Sequence, residues 1–124
     1  MTTYQDVFYE TSDGLSLYAR DYPGPTAAAP VVMCLHGLTR NSRDFHDLAL
    51  TLSGTFRVLV PEQRGRGRSD YESDPSRYAI MQYVADMHGL LNQLNVETVA
   101  IVGTSMGGLM TFALNALYPG LITR

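Results

Sequence analysis

The chain encodes an α/β protein: a mostly parallel sheet, led by an antiparallel hairpin, with helices on both faces. Three observations predict this. A tight-turn signal, Ser12-Asp13-Gly14, separates two strand-like runs near the N-terminus. From Val31 onward, short apolar runs alternate with segments whose apolar residues recur at helical spacing. The first of those runs, Val31 to Leu35, is apolar throughout rather than alternating, as expected of a parallel strand covered on both faces.

Taken in order, Val7 to Thr11 and Leu15 to Arg20 form the hairpin, which occupies residues 4–22. A loop dense in turn residues runs from Tyr22 to Pro30, and the strand–helix repeats fill residues 31–118. Val31 to Leu35 is the first parallel strand. Phe45, Leu48, Ala49 and Leu52 fall at i, i+3, i+4 and i+7, one helix face, with Ser42 expected to cap the helix and Gly54 to close it. Phe56 to Pro61 is the next strand. After a polar loop from Glu62 to Pro75, Ile80, Tyr83, Val84, Met87, Leu91 and Leu94 mark a second helix. Thr98 to Val102 is a third strand. Met106 to Leu117 reads as a helix apolar nearly all round, expected to be buried on more than one side, and Tyr118-Pro119-Gly120 stops it.

Composition narrows the function. The 124 residues suit one domain, and 45% apolar with 17% charged residues is a globular balance. All nine cations are Arg, against twelve acidic residues, for a net charge of −3. No basic nucleic-acid footprint follows from that, and no lysine is present for a P-loop or a Schiff base. A G-x-G-x-x-G dinucleotide signature is also missing. The segment Met1-Thr2-Thr3-Tyr4-Gln5-Asp6 lacks the cationic and apolar regions of a secretory leader. The longest apolar run, Val31 to Leu35, is far short of the roughly 20 residues that span a bilayer. Cys34 lies inside that run and reads as a small buried hydrophobe. His46 and His88 sit in helices without a metal-ligating neighbour at i+3 or i+4. The expectation is a cytoplasmic protein with no metal, no cofactor, no membrane and no nucleic-acid partner.

The sharpest local signal is Gly103-Thr104-Ser105-Met106-Gly107, a G-x-S-x-G joining an apolar strand directly to an apolar helix. A serine held on so sharp a turn has a strained backbone and a hydroxyl projecting above the sheet edge. Glycines two before and two after leave no side chain to clash as the chain folds back. The helix N-terminus beneath the serine offers free N–H groups and a positive dipole end to a developing oxyanion. The bland alternative is a glycine-rich turn whose serine only caps the helix. Two further signals precede it: His36-Gly37-Leu38-Thr39 after the first parallel strand, and Arg64-Gly65-Arg66-Gly67-Arg68-Ser69 after the second. Read alone, the second could be a small RGG-like RNA segment, but Glu62, Asp70, Glu72 and Asp74 flank it with opposite charge.

In this order, and together with the leading hairpin, the three motifs resemble the α/β-hydrolase fold family, serine-nucleophile branch. The resemblance covers essentially the whole chain. It implies that Ser105 is the nucleophile and that the backbone amides of Leu38 and Met106 form the oxyanion hole. His36, Gly37, Gly103 and Gly107 support the two turns, and His36 is a buttress rather than the base. The Arg-Gly segment becomes the family's Asp-x-Arg-Gly-x-Gly-x-Ser loop, with Glu62 where aspartate is usual. The implied reaction is hydrolysis of a small ester, lactone, amide or related acyl substrate through an acyl-enzyme.

The family's order is Ser, then Asp or Glu, then His. The nineteen residues after Ser105 contain none of these. The chain therefore reads as the N-terminal part of one α/β-hydrolase domain (residues 1–124), truncated after the elbow helix, with the triad acid and histidine not in this chain. By itself it is expected to be inactive. Its third parallel strand is expected to be an open edge, available to the missing C-terminal half or to self-association. A non-catalytic binding module on the same scaffold is the competing reading, and a nucleotide-binding α/β domain is disfavoured by the missing phosphate loops.

Overall fold

Five strands, Gln5–Glu10 (β1), Ser16–Tyr22 (β2), Val31–Leu35 (β3), Arg57–Glu62 (β4) and Ala100–Gly103 (β5), form one sheet in the order β1-β2-β4-β3-β5. They are seen in a computed structural model that describes residues 3–124; Met1 and Thr2, which begin the segment read above for a leader, lie outside the described residues. β1 and β2 pair antiparallel from Gln5↔Asp21 to Glu10↔Ser16, and β2 continues antiparallel onto β4. β3 is parallel to both β4 and β5. Gly14, at φ 90°, closes the hairpin turn, where Thr11 receives the Gly14 and Leu15 amides.

Three α-helices, His46–Leu52 (α1), Ile80–Gln93 (α2) and Met106–Leu117 (α3), cover the two faces. Met33, Leu35 and Leu59 point into one core with Val84, Met87 and Leu91 of α2 and Met110 and Leu114 of α3. Their strand neighbours Val32, Cys34, Val58 and Val60 point the other way, onto Phe45 and Ala49. The alternation of side chains across a pleated strand thus explains why β3, and β4 from Val58 to Pro61, are apolar at every position. Among the described residues no helix is long and apolar enough to cross a membrane.

Several details differ from expectation. A 3₁₀ turn, Ser42–Phe45, precedes α1, and its cap is Asn41, whose side chain accepts the Arg43 amide. Ser42 is occupied elsewhere: its amide and hydroxyl both donate to the buried Glu62 carboxylate at 3.0 Å. Gly54 follows α1 without adopting positive φ, so no left-handed cap forms there. α3 is buried along one stripe only, through Met106, Gly107, Met110 and Leu114. Leu109 and Phe112 are 61% and 78% exposed because no described residue packs over that side. Finally, the edge at β5 is not fully open. Leu121 to Arg124 run alongside it, with a parallel bridge Val99↔Ile122 and three backbone hydrogen bonds: Val99 N to Leu121 O, Thr123 N to Val99 O and Ile101 N to Arg124 O.

Candidate active site

Between the end of β5 and the start of α3 stand only Thr104 and Ser105. Turning a strand into a helix over two residues forces Ser105 to φ 52°, ψ −110°, a conformation that strains an L residue by about 1–3 kcal/mol. The two glycines are close approaches. A Cβ on Gly103 would lie 2.6 Å from the carbonyl carbon of Gly107, and one on Gly107 would lie 2.2 Å from the carbonyl oxygen of Leu35. Ser105 holds the N-cap position of α3, yet its side chain makes no capping hydrogen bond. The residue is exposed, with its hydroxyl unengaged by any described residue, so the reading as a mere helix cap does not hold.

The His36-Gly37-Leu38-Thr39 segment reaches the same place from β3. Thr104 N–H donates to Leu35 O at 3.1 Å, tying the elbow to the strand end. Gly37 opens a turn closed by Arg40 N–H to Gly37 O at 3.1 Å. A Cβ on Gly37 would be 3.8 Å from Ser105 Cβ, ordinary contact. Fully buried His36 accepts the Gln63 N–H on Nε2 at 3.0 Å, so Nδ1 carries the proton and donates to Gly37 O at 2.7 Å. Burial holds its imidazole below the usual histidine range. Neutral and with both nitrogens engaged, His36 has no site left to accept a serine proton. A trans peptide directs its C=O and N–H oppositely. Gripping Gly37 O from one side therefore turns the Leu38 N–H to the other. Neither the Leu38 nor the Met106 amide donates to any described residue.

The third motif sends its arginines in three directions. Arg64 is fully buried among the carboxylates of Asp86, Glu72 and Asp13, at 2.7, 2.8 and 2.9 Å. Burial opposes its charge, but Asp86 and then Asp13 hold the guanidinium above its ordinary range. In return Arg64, and then Thr11, hold Asp13 well below the carboxylate range. Glu62 accepts Ser42 on one oxygen and the Arg68 amide on the other, and a Cβ on Gly67, at φ 54°, would meet its carboxylate at 2.2 Å. Arg68 pairs with Asp6 and lies over the Tyr18 ring. Arg66 donates from Nε to Leu38 O at 2.9 Å, next to the turn after β3. The sequence contained this contact only as a charge in a polar loop; nothing local indicated its direction.

The other residues of interest lie apart. His46 Nδ1 is 2.8 Å from Tyr22 Oη, and His88 stacks on Tyr118 with ring centroids 3.7 Å apart. Cys34 is buried and free, its thiol pushed up to about 12 by desolvation. Among the described residues no His, Cys, Asp and Glu group could hold a metal. A cavity of about 750 Å³ opens at the other ends of the parallel strands, lined by Pro30, Val31, Phe56, Arg57, Thr98 and Arg124 among others, and includes none of the motif residues.

Residues 30–124 match the family model of the alpha/beta hydrolase fold. The chain is similar to the crystal structure of an alpha/beta hydrolase from Novosphingobium aromaticivorans, with TM-score 0.94 and 50% identity, covering 100% of this chain and 43% of that one. It is 46% identical over 104 residues to a 3-hydroxybutyrate-oligomer hydrolase of Cupriavidus necator, covering 84% of this chain and 36% of the relative. It is 35% identical over 99 residues to a serine hydrolase-like protein of Danio rerio, covering 80% of this chain and 30% of the relative. The chain thus spans less than half the length of each. The family match takes in β3 through α3 and every motif that meets at Ser105, and on that ground the chain belongs to the α/β-hydrolase fold family.

Proposed function

We propose that this chain carries the nucleophile and oxyanion hole of a serine hydrolase acting on a small ester, lactone, amide or related acyl substrate. The observation that carries the reading is Ser105: strained, exposed and uncapped, beside the Gly37 turn. Its Oγ attacks the acyl carbon while its proton passes to a base. The amides of Leu38 and Met106 take the negative charge that develops on the carbonyl oxygen. Collapse breaks the bond to the leaving alcohol or amine, which takes the proton, and water then releases the acid and restores the serine. The similarity to a 3-hydroxybutyrate-oligomer hydrolase supports an ester of a short acid as substrate. A free serine hydroxyl is a weak nucleophile at neutral pH, and among the described residues no base is hydrogen-bonded to it. The 124 residues alone are therefore expected to lack enzymatic turnover.

The test is a fluorophosphonate probe on a protein that joins this segment to the downstream strands of the fold, with Ser105→Ala beside it. The phosphoryl group should be found on Ser105, and the alanine variant should lose at least about 10⁴-fold in kcat on an activated short-chain ester while remaining folded. Activity of the variant within about tenfold of wild type removes the assignment. A folded, unlabelled and inactive wild type favours a binding module.

A further inference from the structure

Arg66 touches both residues whose amides are assigned to the oxyanion hole. Its Nε donates to Leu38 O at 2.9 Å, and its Nη2 lies 4.0 Å from Met106 Sδ. Nη1 donates to Arg64 O and to Tyr83 Oη, each at 2.9 Å. The guanidinium faces the Tyr83 and Tyr78 rings at 5.0 and 5.8 Å. Arg40, Arg57, Arg64, Arg68 and Arg77 pair with carboxylates; Arg66, like half-buried Arg20 and exposed Arg43 and Arg124, pairs with none among the described residues. A half-buried cation without a counter-ion is costly to hold, and joining neutral carbonyls does not require one. A negative charge that appears nearby during a reaction offsets that cost.

The grip is also geometric. His36 and the Arg40 amide hold the Gly37 carbonyl, and Arg66 holds the next carbonyl, that of Leu38. With the peptides on both sides of Leu38 fixed, its backbone cannot rotate its N–H away. The Arg66 charge already reaches this turn, since it adds to burial in lowering the His36 value.

Resting on the serine-hydrolase reading, we propose that Arg66 is a positioning residue of the oxyanion hole. Its guanidinium fixes the Leu38 turn against Met106 and sets positive charge behind the two amides. Arg66 does not touch the substrate; it acts through Leu38 and Met106.

The experiment compares wild type, Arg66→Met and Arg66→Lys in the protein extended by its downstream strands. It measures kcat and KM on an activated short-chain ester, the rate of fluorophosphonate labelling, and affinity for an alkyl boronic acid, which becomes anionic on the serine. Arg66→Met should lose about 10- to 100-fold in kcat, with KM within about twofold. Labelling rate and boronate affinity should fall in parallel. Arg66→Lys, keeping the charge but not the forked grip, should recover part of each. A kcat for Arg66→Met within about threefold of wild type, a loss confined to KM, or unchanged boronate affinity overturns the proposal. If Arg66→Met does not fold, Arg66→Lys decides: a clear loss in kcat at constant KM supports the proposal, and wild-type kcat overturns it. Labelled wild type with equally fast labelling of Arg66→Met defeats this proposal alone. A wild type unlabelled at Ser105 defeats the serine-hydrolase reading, and this one with it.

Discussion

Gly107 and Gly108 are adjacent on α3 and chemically identical, yet their surroundings differ sharply. A methyl at 107 would be driven into the Leu35 carbonyl at 2.2 Å, backbone that cannot move without shifting β3. A methyl at 108 would rest 3.8 Å from Gly103 O. Gly107→Ala should therefore destabilise by several kcal/mol, on the order of a severe overpacking defect. Gly108→Ala should be neutral or stabilising by up to about 1 kcal/mol, as expected where alanine replaces a helical glycine without strain. Urea denaturation of the two variants checks this, and equal midpoints would contradict the account of the elbow. The G-x-S-x-G pattern made Gly107 readable in the sequence, because the pattern encodes the close approach itself. Arg66 was not readable in the same way. Its three-way contact depends on the loops at residues 38 and 64 meeting Tyr83 of α2 in space, and no local spacing records that.

At the scale of elements, α2 and α3 lie where periodicity put them, Ile80–Gln93 and Met106–Leu117, because each carries a stripe that one core absorbs. The start of the first helix was less readable. Glu62 takes both donors of Ser42 from twenty residues away, leaving Asn41 to cap. His36 joins β3 to the end of β4 through Gln63 and makes that junction sensitive to pH. Its folded value lies below the ordinary 6.5, so around and below that pH the unfolded chain binds a proton that the folded chain does not. Stability is full above about 6.5 and should fall as the pH is lowered from there toward the folded value. Asp13, Asp6, Asp44 and Asp74 are depressed from 3.8 and act in the same direction, but only at lower pH. Denaturant titrations at about pH 7 and pH 5 should show the loss, and His36→Gln should flatten it. An unchanged slope in the variant would place the titrating group elsewhere.

The whole molecule presents an apolar surface on one flank. Leu109, Phe112 and Leu117 of α3 lie exposed near β5, whose outer edge is only partly covered by Leu121 to Arg124. Exposed apolar area beside an unpaired strand edge is the usual recipe for association. The 124-residue chain should therefore self-associate at roughly micromolar concentrations and above. Leu109→Glu with Phe112→Glu should shift it toward monomer in sedimentation velocity; a wild type that stays monomeric throughout would contradict this. An all-round apolar helix had suggested burial on several sides. Periodicity reports which faces want cover, not whether a neighbour is present to supply it.

The strand order has a consequence for synthesis. β3 leaves the ribosome before β4, yet both of its hydrogen-bonding partners, β4 and β5, come later in the chain. At about 5–20 residues per second, the interval between completing β4 and completing β5 lasts roughly 2–8 seconds. Throughout it β3 has one vacant side, and the turn that follows it has no Gly107 pressed against Leu35. The turn after β3 thus stands without its partner until residues 103–107 emerge, and a chaperone that shields strand edges would have its widest window then.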